Sequence, residues 1–110
     1  MDLAKQKCVP CEIGGQPMKA EEAALYLKDV PEWRASANFK RISREFEFKD
    51  FKEALAFVNK VGDIAEEQGH HPDIDFTYGK AVIELSTHAV GGLTPNDFIL
   101  AAKIDKIGRW

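Results

Sequence analysis

Residues 50–86 read DFKEALAFVNKVGDIAEEQGHHPDIDFTYGKAVIELS, and the change of hydrophobic period inside this stretch decides the fold. Phe51, Leu55, Val58, Ile64 and Ala65 recur at near-helical spacing, which predicts a helix over about Phe51–Gln68 with one apolar stripe to lay on a sheet. Asp50 is placed to cap its N-terminus, and Glu53 three residues later makes a capping-box arrangement. Gly69 accepts the left-handed backbone of a C-terminal stop. Beyond it the period falls to two. Ile74, Phe76 and Tyr78 alternate with Asp73, Asp75 and Thr77, then Ala81, Ile83 and Leu85 with Val82, Glu84 and Ser86. Gly79 between the two runs predicts a tight antiparallel hairpin.

The same two patterns extend outward. Upstream, Ile42, Phe46 and Phe48 share one face of Arg41–Phe48, with Arg41, Ser43, Glu45 and Glu47 on the other, so this strand has one wet and one covered face. Arg44 falls on the apolar side and is expected to mark the strand's open end. An extended stretch beginning at Trp33 precedes it. Before that, Glu21–Leu27 reads as a short helix, with Ala24, Leu25 and Leu27 apolar, two acids at its start and Pro31 closing it. Downstream, Thr94 is the N-cap of a last helix with Pro95 first and Asp97 third, continuing through Ile99, Ala102 and Ile107 toward Gly108. The predicted order is helix, two strands, helix, two strands, helix. That is an α+β fold, a four-stranded antiparallel sheet with helices packed on one face. The other face, which includes Val82, is expected to carry apolar surface for subunit contacts. Residues 1–18 read as an N-terminal arm and 19–110 as one domain, without repeats or an internal linker.

The chain has 110 residues, 45% apolar and 30% charged, which is the composition of one globular domain. Fifteen Lys and Arg against eighteen Asp and Glu leave a net charge of −3. That balance argues against a broad phosphate-backbone footprint and against a polybasic membrane surface. No apolar run approaches the roughly 20 residues of a membrane span, and MDLAKQKCVPCEIGG lacks the apolar core of a secretory signal. The expectation is a soluble cytoplasmic protein without direct nucleic-acid or membrane contacts. Cys8 and Cys11 form a C-x-x-C with no second pair to complete a zinc site. Gly14, Gly15 and Pro17 follow where a thioredoxin-type pair would open a helix. The two are read as reduced thiols on a terminal arm, with no chemistry assigned, and Arg109–Trp110 as a surface tail.

All three histidines lie between positions 70 and 88. Pro72 biases His71 toward extended backbone. His88 ends the second hairpin strand, and a hairpin returns on itself, so His88 comes back toward His70 and His71. An unperturbed imidazole titrates at about pH 6.5, so two or three around a pocket suit a reaction needing a base at one atom and an acid at another. Glu66, four residues before His70, is expected to share its helix face and orient an imidazole or bind a polar ligand edge. Adjacent side chains on extended backbone diverge, which works against chelation of one ion by His70 and His71. A zinc site drawing on His88 and Glu66 stays an alternative. Ser86 stands in no nucleophile elbow, and Gly91-Gly92 lacks phosphate-loop spacing. Asp97 reads first as a helix-start stabiliser.

Glu66, three residues, His70-His71-Pro72, five residues, Tyr78, nine residues, His88, eight residues and Asp97 form a spaced pattern that resembles the signature of the pterin-4a-carbinolamine dehydratase family, bacterial type. LSTHAVGGLTPNDF is similar to the family's stretch in which T-H is followed by G-L-T-x-x-D, and the likeness runs from about Ala20 to Ile107. The resemblance implies a homodimer or homotetramer. It also implies loss of water from 4a-hydroxytetrahydropterin to give quinonoid dihydropterin, downstream of a pterin-dependent aromatic amino acid hydroxylase. The pterin would be the substrate, and the reaction would need neither metal nor redox cofactor. His70, His71 and His88 would be the catalytic imidazoles, with His71 and His88 favoured for proton transfer and His70 for orienting. Glu66, Pro72 and Asp97 would bind substrate. Ile74 and Asn96 depart from relatives that carry an aromatic and a basic residue there, which bears on side-chain selectivity. The alternative is a non-catalytic dimerisation or transcription cofactor, or an accessory module, on the same fold.

Overall fold

Among the residues it describes, 2–9 and 15–107, the computed structural model has three α-helices, α1 (Ala20–Leu27), α2 (Phe51–Gln68) and α3 (Pro95–Asp105). Its four strands are β1 (Arg34–Ala35), β2 (Ile42–Glu47), β3 (Asp73–Thr77) and β4 (Lys80–Leu85). The α-β-β-α-β-β-α order is the predicted one. Cys11, Gly108, Arg109 and Trp110 lie outside the described residues.

The strands form one antiparallel sheet in the order β1-β2-β4-β3, so β3 is an edge. Register pairs Ile42 with Leu85, Phe46 with Ala81, and Ile74 with Ile83, which puts the apolar set of every strand on the same side. α2 and α3 cover that side, where Phe46, Phe57, Ile83, Leu85, Phe98, Leu100 and Ile104 form the core. The opposite face carries Arg34, Ser43, Glu45, Asp73, Asp75, Lys80, Val82 and Glu84 and is polar, with charges of both signs. The expectation of an apolar surface there fails, because Val82 has only polar neighbours across both ladders.

Asp50 caps α2 by accepting the Glu53 N–H at 2.9 Å, as predicted. The Glu53 carboxylate reaches back to Lys49 N–H at 3.1 Å rather than to Asp50. The helix bears down on the sheet through Ala54, Phe57, Val61 and Ala65, whereas Phe51 and Leu55 are 47% and 40% exposed. The apolar arc of α2 is wider than the seat beneath it, so periodicity finds the arc but not its centre. α1 behaves alike, burying Ala23 and leaving Leu25 outside. Arg44 does not mark an open end. Its guanidinium lies 4.5 Å from the Phe46 ring centroid and donates at 2.8 Å to Asp105 Oδ1, which also accepts Trp33 Nε1–H at 2.9 Å. A partly buried ion pair therefore seals the β2 side of the core against the end of α3.

Candidate active site

Three chain segments meet at one end of the sheet: the exit of α2, the exit of β4 and the start of α3. Gly69 ends α2 with φ 65°, a left-handed conformation that glycine adopts without a Cβ clash. His70 N–H still bonds to Ala65 O at 3.2 Å, so His70 is fixed to the helix end before Pro72 leads into β3. On the other side β4 stops at Leu85, and a 3-10 turn, His88–Val90, is closed by Thr87 N–H to Gly92 O at 2.8 Å. Gly92 leads into Leu93 and the α3 N-cap, Thr94.

Asp97 ties these segments together. It has no exposed surface. Its Oδ2 accepts Thr94 N–H at 3.0 Å and Thr87 Oγ1–H at 2.8 Å. Its Oδ1 faces His70 Nε2 at 2.6 Å. An ionised carboxylate can only accept, so against it His70 Nε2 is the donor. Position at the α3 N-terminus adds the helix dipole to these donors. The predicted helix-start role is present, and the His70 contact comes with it.

Glu66 serves His71, not His70. Its Oε2 lies 2.5 Å from His71 Nε2, both side chains being largely exposed. The chain leaves the helix at Gly69, which turns His70 inward to Asp97 and His71 outward to Glu66. The two adjacent imidazoles diverge. His88 is exposed, and among the described residues its ring has no hydrogen-bond partner.

All three histidines line one cavity of about 540 Å³, a volume suited to a small bicyclic guest. Glu66, Pro72 and Asp97 are not in its lining; Asp97 stands behind His70, and Glu66 braces His71 from outside. Tyr78, the signature's aromatic point, sits at the hairpin turn at the far end of the strands and is 67% exposed. Sequence reasoning missed Thr87 as a support, although it directly precedes His88 in the motif. It also missed Cys8, Val9 and Gln68 as lining residues, while Asn96, singled out for selectivity, lines the cavity. The first two reach the cavity through contacts 60 to 88 positions apart, which no local pattern records. Among the described residues no group of three or more His, Cys, Asp and Glu side chains could hold a metal ion.

Fold and site together define a small α+β protein with an imidazole-lined cavity at one end of its sheet. The pterin 4 alpha carbinolamine dehydratase family model matches residues 16–107, and the chain belongs to that family. A Rubrobacter xylanophilus relative provisionally named as a pterin-4-alpha-carbinolamine dehydratase is 46% identical, over 96% of this chain and 98% of its own length. One from Halorhodospira halophila with the same provisional name is also 46% identical, over 98% and 99%. Among solved structures, a transcriptional coactivator/pterin dehydratase from Brucella melitensis superposes with a TM-score of 0.77 at 29% identity, over 82% of this chain and 96% of that one. A pterin dehydratase-like RuBisCO assembly factor of the alpha-carboxysome gives 0.58 at 25% identity, over 67% and 86%.

Proposed function

We propose that this chain removes water from 4a-hydroxytetrahydropterin to give quinonoid dihydropterin, by general acid/base chemistry on its histidines. The observation that carries the reading is the shared cavity of His70, His71 and His88 in a member of this family. The electron pair of the N5–H bond becomes the N5=C4a double bond as the C4a–O bond breaks. A base takes the N5 proton and an acid protonates the departing hydroxyl, so no electrons enter or leave.

His71 and His88 are both exposed and can exchange protons with water between turnovers, which suits them to the transfer steps. His70 is held by a buried carboxylate and has an 11% exposed side chain, which suits it to orienting the guest. In an ultraviolet stopped-flow assay the protein should speed the decay of enzymatically generated 4a-hydroxytetrahydropterin. His71→Ala and His88→Ala should each lose about 10²-fold or more of that acceleration. No gain over buffer would remove the reading.

The chain is read as a cytoplasmic homodimer or homotetramer, fed by a pterin-dependent hydroxylase. No helix of the described residues is long and apolar enough to cross a membrane. Support for assembly comes from Phe51, Leu55 and Tyr78, exposed around the α2 and β3 edge. The coactivator and assembly-factor names of the two solved structures keep an interaction module as the second reading. A protein partner whose binding survives replacement of all three histidines would favour it.

A further inference from the structure

The arm that sequence reasoning leaves without a role runs along the cavity. Leu3 anchors it in the core, and Lys103 Nζ donates to Ala4 O at 2.9 Å. Further on, the buried Asn96 side chain grips the Val9 backbone at both polar groups. Its Nδ2–H donates to Val9 O at 2.6 Å, and its Oδ1 accepts Val9 N–H at 2.9 Å. Gln68 Oε1 accepts Cys8 N–H at 2.9 Å. One amide that satisfies both backbone groups of a residue acts as a one-residue strand partner, and it fixes where that backbone runs. Both clamps adjoin the catalytic constellation: Gln68 is two residues before His70, and Asn96 directly precedes Asp97. Cys8 and Val9 line the same cavity as the three imidazoles.

We propose that Cys8 and Val9 form a wall of the pterin site, with Asn96 and Gln68 as the positioning residues that hold the wall in place. The guest's identity rests on the dehydratase reading; the wall itself rests on the clamps. The wall bears no imidazole, and none of the protons in the dehydration has to pass through it. It therefore acts on how tightly the flat guest is held, through contact and exclusion of water, and not on the chemical step. Position 8 becomes a determinant of guest fit.

The test uses the full chain and three variants, Asn96→Ala, Gln68→Ala and Cys8→Leu. Amide hydrogen exchange at Cys8 and Val9 is followed with and without 6-methyl-7,8-dihydropterin, beside KM and kcat for 4a-hydroxytetrahydropterin. In the parent, the dihydropterin should slow exchange at both amides. Asn96→Ala and Gln68→Ala should free the strap and raise KM about tenfold with kcat nearly unchanged. Cys8→Leu, which leaves both clamps intact but adds bulk to the wall, should raise KM as well. Should Asn96→Ala not fold, Gln68→Ala at the helix end and Cys8→Leu decide the same point. A freed strap with an unchanged KM would overturn the proposal, as would loss confined to kcat. A parent that fails to dehydrate the substrate but shows dihydropterin protection at Cys8 and Val9 sinks the dehydratase reading and keeps the wall. A parent that dehydrates with those amides unprotected does the reverse.

Discussion

A carboxylate removed from water needs donors in place of its hydration shell, and Asp97 collects them from three segments: Thr94 N–H, Thr87 Oγ1–H and His70 Nε2–H. The same carboxylate that caps α3 through Oδ2 thus fixes, through Oδ1, an imidazole 27 positions earlier in the chain. Asp97→Asn turns one acceptor into a donor and leaves a buried donor facing it. The expected loss is about 1–3 kcal/mol in urea unfolding, with dehydration slowed about tenfold or more as His70 loses its brace. A variant as stable and as fast as the parent would take the positioning role away from Asp97. Its place at the helix start is legible in Thr94-Pro95-Asn96-Asp97, since capping is local. Its bond to His70 is not, because that contact exists only once α2, β4 and α3 converge. Glu66 shows the same limit in reverse: four-residue spacing pairs it with His70 on an ideal helix, but the left-handed turn at Gly69 delivers His71 instead.

At the scale of elements, α2 separates what periodicity can and cannot assign. Its limits, its Asp50 cap and its Gly69 stop were all readable, because each depends on neighbours within four residues. Its buried line was not, since the helix offers apolar groups over a broad arc and the sheet accepts only part of it. Ala54, Phe57, Val61 and Ala65 are taken, and Phe57 sits 4.5 Å from the Phe46 ring centroid and 5.1 Å from that of Phe48. Phe57→Ala should therefore cost about 3–5 kcal/mol in urea unfolding, against less than about 1 kcal/mol for Leu55→Ala. Equal costs would restore Leu55 to the core. Phe51, at the same outer edge, stacks on Phe76 of β3 with centroids 5.4 Å apart, which ties the helix start to the edge strand.

At the scale of the molecule, the two sides of the sheet have opposite characters. The helix-covered side is closed, while the open side is charged with both signs, Arg41 pairing with Glu84 and Lys80 with Glu45, and its Val82 sits among polar neighbours. Exposed apolar side chains lie instead at Phe51, which stacks on Phe76 of β3, at Leu55 and at Tyr78, and the outer edge of β3 has no partner strand among the described residues. Leu55→Glu should leave a folded chain by circular dichroism yet lower the mass measured by light scattering on a size-exclusion column. An unchanged mass would place any assembly elsewhere.

The sequence by itself determined the α-β-β-α-β-β-α order, the helix caps, the hairpin and the gathering of His70, His71 and His88, since each follows from local period, local backbone preference or the return of a hairpin. Tertiary structure alone decided which face of α2 is buried, which carboxylate holds which imidazole, that the second sheet face is charged and open, and that the N-terminal arm reaches the cavity. Those outcomes depend on distances between residues tens of positions apart, which are set by how the elements pack and leave no trace in any short window of sequence.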